Sequence, residues 1–433
     1  MKIYLDSVGC RLNQSEIERY GLQFRLAGHS LVATAGEADL VVVNTCAVTG
    51  EASSDSRQKI RQAVKAGANQ VVVTGCWSTL NEQAAAGMEG VTRVISNPRK
   101  DDLVRDVLHL QSDPYEQEPL AREPLPGIHL RTRAFIKAQD GCDYHCTFCV
   151  TRLARGRSIS RPVSQVIADI QSALKGGAQE IVLTGVALGS WGHDISPRSD
   201  LTPLIRAILA QTSVQRLRLS SIEPWDLDEA FFELWRDPRL CKHLHLPLQS
   251  GCADTLRRMG RRTTPEAYAA LVSMARSVAP GMALTTDMIA GFPGETDREF
   301  QESLEFARQI GFASGHVFTF SSRPGTAAAH LPGQVPPEVR KQRNSQLRSV
   351  FAESSASYRR GYLGSVSTVL WEATDQLGPT GWRVSGLTGN YLRVYATTPA
   401  PLWNQLSTVR LVEDAPDGLE GEILRTPASA QDG

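Results

Sequence analysis

The chain reads as an α/β protein in three parts. These are an N-terminal open parallel βα sheet, a central partial (βα)6 barrel and a C-terminal small all-β barrel. Three observations predict this. Short apolar runs alternate with helical spacing through residues 1–110 and again through 131–358, the pattern of parallel βα units. Residues 112–129 carry Pro114, Pro119, Pro124 and Pro126 among acidic side chains, a linker composition. Beyond residue 360 the runs shorten and are separated by Gly and Pro turns, which suits a small closed sheet. The expected parts are 1–111, a linker 112–130, 131–359 and 360–426.

In the first part, Lys2–Val8, Asp39–Asn44, Gln70–Thr74 and Val91–Ser96 read as strands. Their apolar runs suit a sheet buried on both faces. Ser15–Leu26, Ser56–Ala66 and Arg99–Leu110 read as helices. In the middle part six strands are expected: Ala134–Gln139, Glu180–Thr184, Arg216–Ser220, His243–Leu248, Leu284–Ile289 and His316–Phe320. Helices Val163–Leu174, Leu201–Gln211 and Arg298–Ile310 lie between them. Six units fall short of the eight that close a barrel, so this one stays open. The last part offers Val366–Trp371, Trp382–Ser385, Tyr391–Ala396 and Thr408–Glu413 as strands, then a frayed tail from Thr426.

Composition excludes several classes. With 41% hydrophobic and 21% charged residues, the chain is neither disordered nor membrane-spanning. The strand at Lys2 follows Met1 with no apolar signal core, so a cytoplasmic protein is expected. The formal net charge is zero. Of the 46 basic side chains 38 are Arg, whose planar forks suit phosphate and base contact.

Eight cysteines in a reducing compartment point to metal or redox use. Cys142, Cys146 and Cys149 form a CxxxCxxC loop just after the first strand of the middle part. Three thiolates this close suit an iron–sulfur cluster with one iron left open. The alternative is zinc, with His145 as fourth ligand. Cys10, Cys46 and Cys76 lie far apart in sequence, yet each follows a predicted strand. Parallel strands end along one sheet edge, so the three can converge on a second cluster. The alternative is three buried thiols. Cys241 and Cys252 share no motif and read as structural.

The CxxxCxFC loop at that place resembles the radical S-adenosylmethionine (SAM) superfamily. That resemblance implies a 4Fe-4S cluster whose open iron chelates the amino and carboxyl groups of SAM. One electron then cleaves SAM to a 5′-deoxyadenosyl radical. Two three-cysteine sites followed by a TRAM-like barrel are similar to the methylthiotransferases over nearly the whole chain. Gly9-Cys10-Arg11-Leu12-Asn13-Gln14, Asn44-Thr45-Cys46-Ala47-Val48-Thr49 and Arg323-Pro324-Gly325-Thr326 resemble the branch acting on threonylcarbamoyladenosine in tRNA. Ala187 stands where that branch usually has Asn.

The resemblance implies methylthiolation of carbon 2 of N6-threonylcarbamoyladenosine beside the anticodon. It implies two SAM molecules, two 4Fe-4S clusters, and an electron donor such as flavodoxin or ferredoxin. The tRNA anticodon loop is the expected partner, with no membrane. Related branches act on isopentenyladenosine in tRNA or on an aspartate of a ribosomal protein, and an iron–sulfur carrier is a non-enzymatic alternative. Thr184 and Gly185 are expected at the SAM amino group. Glu223 and Gln249 are expected at strand ends of the barrel mouth, and Ile289 and Gly291 along the adenine. Basic runs at 131–161, 257–262 and 340–343 suggest phosphate contact. Arg155, Arg157, Tyr391 and Arg393 are the candidate RNA contacts.

Overall fold

The computed structural model describes residues 1–111, 122–123, 125–126, 132–378 and 381–426. Most of the expected linker, Arg131 and the tail after Thr426 lie outside the described residues. Five parallel strands form the first sheet: β1 (Lys2–Ser7), β2 (Ser30–Leu31), β3 (Leu40–Thr45), β4 (Gln70–Gly75) and β5 (Arg93–Ile95). Their order is β2-β1-β3-β4-β5. Every residue of β3 is buried, as its unbroken apolar run requires of a central strand. The two-residue edge strand β2 went unpredicted because it is too short to show periodicity. Each ladder runs in register to the strand ends, where Asn44 pairs with Thr74 and Thr45 with Gly75.

The middle part contains β6 (Arg133–Lys137), β7 (Gln139–Asp140), β8 (Ile159–Ser160), β9 (Glu180–Thr184), β10 (Leu217–Leu219), β11 (His243–His245), β12 (Ala283–Ala290) and β13 (Ser314–Thr319). Two three-stranded parallel sheets, β10-β9-β6 and β11-β12-β13, join through bridges between Leu217 and Leu240 and between Ser221 and His245. The result is the open six-stranded barrel expected. The antiparallel pair β7 and β8 clips together the two ends of the CxxxCxxC loop.

Strand alternation divides this barrel chemically. Ala134, Ile136, Ile181, Leu183, Leu217, Leu219, Leu244, Leu284 and Met288 face outward into the apolar core under the helices. The intervening positions turn inward, and many of them are polar: Glu180, Arg216, Arg218, His243, His245, Thr285, Asp287 and His316, beside apolar Phe135, Val182 and Ile289. The helix Leu201–Gln211 has the bounds that its periodicity predicts. Asp297–Ile310 begins with a capping box between Thr296 and Glu299, which satisfies the free amides of its first turn.

The last part is a closed barrel of β14 (Val366–Gly378), β15 (Gly381–Thr388), β16 (Arg393–Thr398), β17 (Leu406–Ala415) and β18 (Gly418–Arg425), in the order β14-β15-β16-β18-β17. The fifth strand, absent from the sequence reading, closes the ring by a parallel pairing of Val394 with Leu419. Trp371 fills the interior and donates its indole N–H to Ser407 at 2.9 Å.

The three parts meet through buried charge. Glu16, on the helix Arg11–Leu26, is ringed by Lys100 (2.6 Å), Arg155 (3.1 Å) and Lys137 (3.7 Å). Asp140 completes the set, 2.9 Å from Arg155. Burial pushes the Glu16 carboxyl up, but the three cations hold it below the usual carboxylate range. On the other side, Arg218 is paired with Glu180 and donates to the carbonyls of Thr388 and Gly389. Tyr391 stacks on His243 with ring centroids 4.3 Å apart.

Candidate active site

The CxxxCxxC loop is shaped by glycine at its entrance. Gly141 has φ +67°, and a Cβ there would lie 1.8 Å from the Arg157 carbonyl oxygen. Only glycine fits that turn. The loop is then pinned at three points. Cys142 N–H donates to Gly156, Thr147 N–H to Met259, and Ala328 N–H to Thr147. Phe148 packs edge-on against Phe292, in the turn after β12. Burial pushes the Cys142 thiol up to about 12. The Cys146 thiol is also raised by burial, against the pull of Arg261. Arg261 is itself buried; it lies 3.8 Å from the Cys146 sulfur and 2.6 Å from Glu223.

The second set assembles from three strand ends. Cys10 follows β1 and precedes the helix Arg11–Leu26; Cys46 follows β3; Cys76 follows β4 and opens a short helix. Asn13 ties two of these ends together. Its Nδ2 donates to the carbonyls of Val8 and Thr45, and its Oδ1 accepts from Arg155 and from the Cys10 thiol. Asn97 reaches the Cys76 sulfur at 3.6 Å. Burial pushes the Cys46 thiol up to about 11, with Cys10 and Cys76 close enough to raise it further.

The Cys10 set and Cys149 of the loop line adjoining cavities. A cavity of about 590 Å³ is lined by Cys10, Cys46 and Cys76 on one side and by Thr184, Gly185, Ser220, His245, Asp287 and His316 on the other. A neighbouring cavity of about 370 Å³ is lined by Phe148, Cys149, Gln249 and Ile289. The two share Val48, Thr151, Asp287 and Phe318. Gln249 reaches its position with φ +76°, its amide bonded to the Asp287 carbonyl.

Residues 136–307 match the Radical SAM superfamily, and residues 2–96 match a family described as Uncharacterized protein family UPF0004. The chain is 36% identical over 381 residues to the threonylcarbamoyladenosine tRNA methylthiotransferase MtaB of Thermotoga maritima, covering 86% of each protein. The chain belongs to the radical SAM methylthiotransferase family. It is also 30% identical over 441 residues to the tRNA-2-methylthio-N(6)-dimethylallyladenosine synthase of Methylococcus capsulatus, covering 98% of this chain and 95% of that protein. In fold it is similar to the radical SAM methyltransferase TsrM of Kitasatospora setae, with a TM-score of 0.60 and 16% identity over 76% of this chain and 75% of that one.

The family brings SAM and a 4Fe-4S cluster, and the loop fits the cluster. Its donors are three thiols, held by a turn that admits no side chain and flanked by a buried guanidinium. Among the described residues, no three His, Cys, Asp or Glu side chains are placed to share a single metal ion. His145 is exposed, and its ring bonds to Arg152.

Other expected residues are placed differently. Glu223 is engaged by Arg261 rather than open to either cavity. Gly291 lies past the cavity wall, its amide on the Glu295 carboxylate at 3.0 Å. Arg155 is not a surface RNA contact: it is buried, and Glu16, Asp140 and Asn13 occupy its guanidinium. Tyr391 is not a free stacking platform either, because His243 covers one face and its hydroxyl accepts from Arg11. Arg157 and Arg393 are exposed.

The basic runs are likewise largely consumed inside the protein. Arg133 pairs with Glu372, Lys137 with Asp101, Arg161 with Asp169, Arg258 with Glu299, and Arg343 with Glu295. Sequence reasoning missed Asn13, Glu16 and the inward histidines. The alternation His243-Leu244-His245 was their one visible signal. Cys241 and Cys252 are buried, as structural thiols would be. Among the described residues no helix is long and apolar enough to cross a membrane.

Proposed function

We propose that this protein methylthiolates carbon 2 of N6-threonylcarbamoyladenosine beside the anticodon of tRNA. The observation that carries this reading is that the Cys10, Cys46 and Cys76 thiols line one cavity, Cys149 of the loop triad lines a second, and the two cavities share Val48, Thr151, Asp287 and Phe318. Cys142, Cys146 and Cys149 hold one 4Fe-4S cluster, and Cys10, Cys46 and Cys76 hold a second. When bound, the central cluster supplies the electron for SAM cleavage, and the other supplies a place for sulfur. A flavodoxin- or ferredoxin-type protein is the electron donor.

The chain's own residues do the positioning. Thr184 and Gly185 line the larger cavity, where the backbone approaches closely: a Cβ on Gly185 would meet the Gln139 carboxamide at 2.9 Å. Gln249 and Ile289 line the smaller cavity, an apolar slot suited to a purine. Arg261 stabilises the thiolate form of Cys146, and Glu223 fixes Arg261. Exposed Arg157 and Arg393 meet the RNA backbone. The three-part division, 1–111, 131–359 and 360–426, assigns sulfur, radical chemistry and RNA contact in that order.

A second reading, action on dimethylallyladenosine, is favoured by the Methylococcus relative's name. Two triple variants test the proposal in anaerobic full-length protein. Replacing Cys142, Cys146 and Cys149 by Ala halves the iron from about eight atoms and abolishes SAM cleavage. Replacing Cys10, Cys46 and Cys76 by Ala also halves the iron but leaves SAM cleavage, while methylthio product disappears. Product formation by the second variant overturns the two-cluster reading. Nucleoside analysis of tRNA from a deletion strain identifies the modified base.

A further inference from the structure

Every buried cation around the two triads has a carboxylate partner. Lys100 has Glu16, Lys137 has Asp101, Arg155 has Glu16 and Asp140, Arg218 has Glu180, and Arg261 has Glu223. Arg11 differs. Arg11 follows Cys10, is half-buried and lines the larger cavity. Among the described residues no carboxylate lies within ion-pair distance of it. Its guanidinium donates to the neutral Tyr391 hydroxyl at 3.3 Å and lies 6.0 Å from the Phe135 ring. Asp287, a carboxylate lining the same cavity, is already taken: His245 and His316 bind its two oxygens at 3.3 Å each.

An unpaired cation held partly out of water is costly, and it favours an anion placed against it. A second group lining that cavity is also unmet. Among the described residues the Ser220 hydroxyl, in a residue only 4% exposed, has no hydrogen-bond partner, and it borders the same cavity. A buried polar atom without a partner calls for an explanation, and a ligand supplies one.

We propose that Arg11 and Ser220 form a subsite for a carboxylate carried on the N6 substituent of the substrate adenine. The inference rests on the tRNA reading above and sharpens it. A threonylcarbamoyl group ends in a carboxylate and also bears a hydroxyl; a dimethylallyl group has neither. Arg11 therefore sets the choice between an acidic and an apolar substituent. A site built to pair with a charge rejects the analogue lacking it, because its own groups are then left unpaired.

The test uses the full chain with both clusters reconstituted and a synthetic anticodon stem-loop bearing either the threonylcarbamoyl group or its methyl ester. Wild type binds the acid roughly ten- to a hundred-fold more tightly than the ester, the range for one charged hydrogen-bonded contact. R11Q abolishes that preference by weakening the acid alone, and R11K keeps part of it. S220A, far in sequence from every cluster cysteine, lowers acid binding several-fold and leaves the ester unchanged. Iron content of R11Q equal to wild type shows that the Cys10 cluster is intact; if iron is lost, S220A decides.

Equal loss of acid and ester binding in R11Q would assign Arg11 to backbone phosphate or to SAM and overturn the subsite. The substrate reading fails separately. Wild-type protein that methylthiolates the dimethylallyl stem-loop and ignores the threonylcarbamoyl one would refute it whatever Arg11 does.

Discussion

The two thiol triads reach adjoining cavities by opposite routes. Cys142, Cys146 and Cys149 sit on one loop, whose ends are clipped by β7 and β8 and whose turn is set by Gly141. Their geometry is a local property of the chain. Cys10, Cys46 and Cys76 follow three strands, and their meeting depends on the register of the parallel sheet and on Asn13 and Asn97 behind them. One site is written into a few residues. The other exists only when a whole domain is folded and docked. The first therefore tolerates distant change, and the second does not.

The sharpest way to break that contrast is at Glu16, which is buried among Lys100, Arg155 and Lys137 and lies one helical turn beyond Asn13. Glu16→Ala leaves buried cations short of a partner, a change that costs about 3–5 kcal/mol. Denaturant unfolding should record that loss. Iron should leave the Cys10 cluster before the Cys142 cluster, because Arg155 also positions Asn13. A loss under about 1 kcal/mol, or equal depletion of both clusters, would show that the Cys10 triad is as self-contained as the Cys142 triad.

A smaller effect separates the triads from each other. Gly75 and Gly141 each precede a cysteine, with φ +98° and +67°. A Cβ at Gly75 would lie 2.3 Å from the Thr45 carbonyl oxygen, and one at Gly141 would lie 1.8 Å from that of Arg157. Each Gly→Ala change should cost about 1–3 kcal/mol through backbone strain. Gly141→Ala should empty only the central cluster and stop SAM cleavage. Gly75→Ala should empty only the other and spare it. Iron analysis with 5′-deoxyadenosine measurement distinguishes the two. Identical phenotypes would mean that strain spreads through the domain interface rather than staying at its turn.

The same contrast explains what could be read from the sequence. The runs Leu40–Thr45 and Glu180–Thr184 announce buried parallel strands, and the cysteine loop announces itself. β18 was missed because Gly418, Gly421, Glu420 and Glu422 give it no apolar run; pairing with β16 and β17 makes it a strand. Arg155 and Tyr391 were misread for a related reason. Their partners Glu16 and His243 stand 139 and 148 positions away, so a charge neutralised in the interior looks locally like one offered to RNA. Arg11 is the converse case. Its lack of a carboxylate partner among the described residues becomes visible only when the barrel interior is assembled.

The smallest effect concerns charge behind the loop triad. Around Glu16 the carboxylates are held ionised: Asp101 is lowered to about 2, because Lys137 and its neighbours outweigh burial. Behind Cys142 the sign reverses. Burial, with Glu223 adding to it, pushes Asp226 up to about 6, although the Tyr144 hydroxyl bonds to it and pulls the other way. Below about pH 4 this carboxyl is protonated in both folded and unfolded chains and costs nothing. As pH rises from about 4 to about 6 the unfolded chain releases its proton first, so stability falls across that window and is level above it. The loss is on the order of 1 kcal/mol once partial solvent screening is allowed for. Asp226→Asn cannot ionise and should remove this slope, so its stability relative to wild type should grow between pH 4 and pH 6. Thermal unfolding of both proteins across that range measures it. A constant difference would place the Asp226 charge in a solvated setting and leave the two triads electrostatically alike.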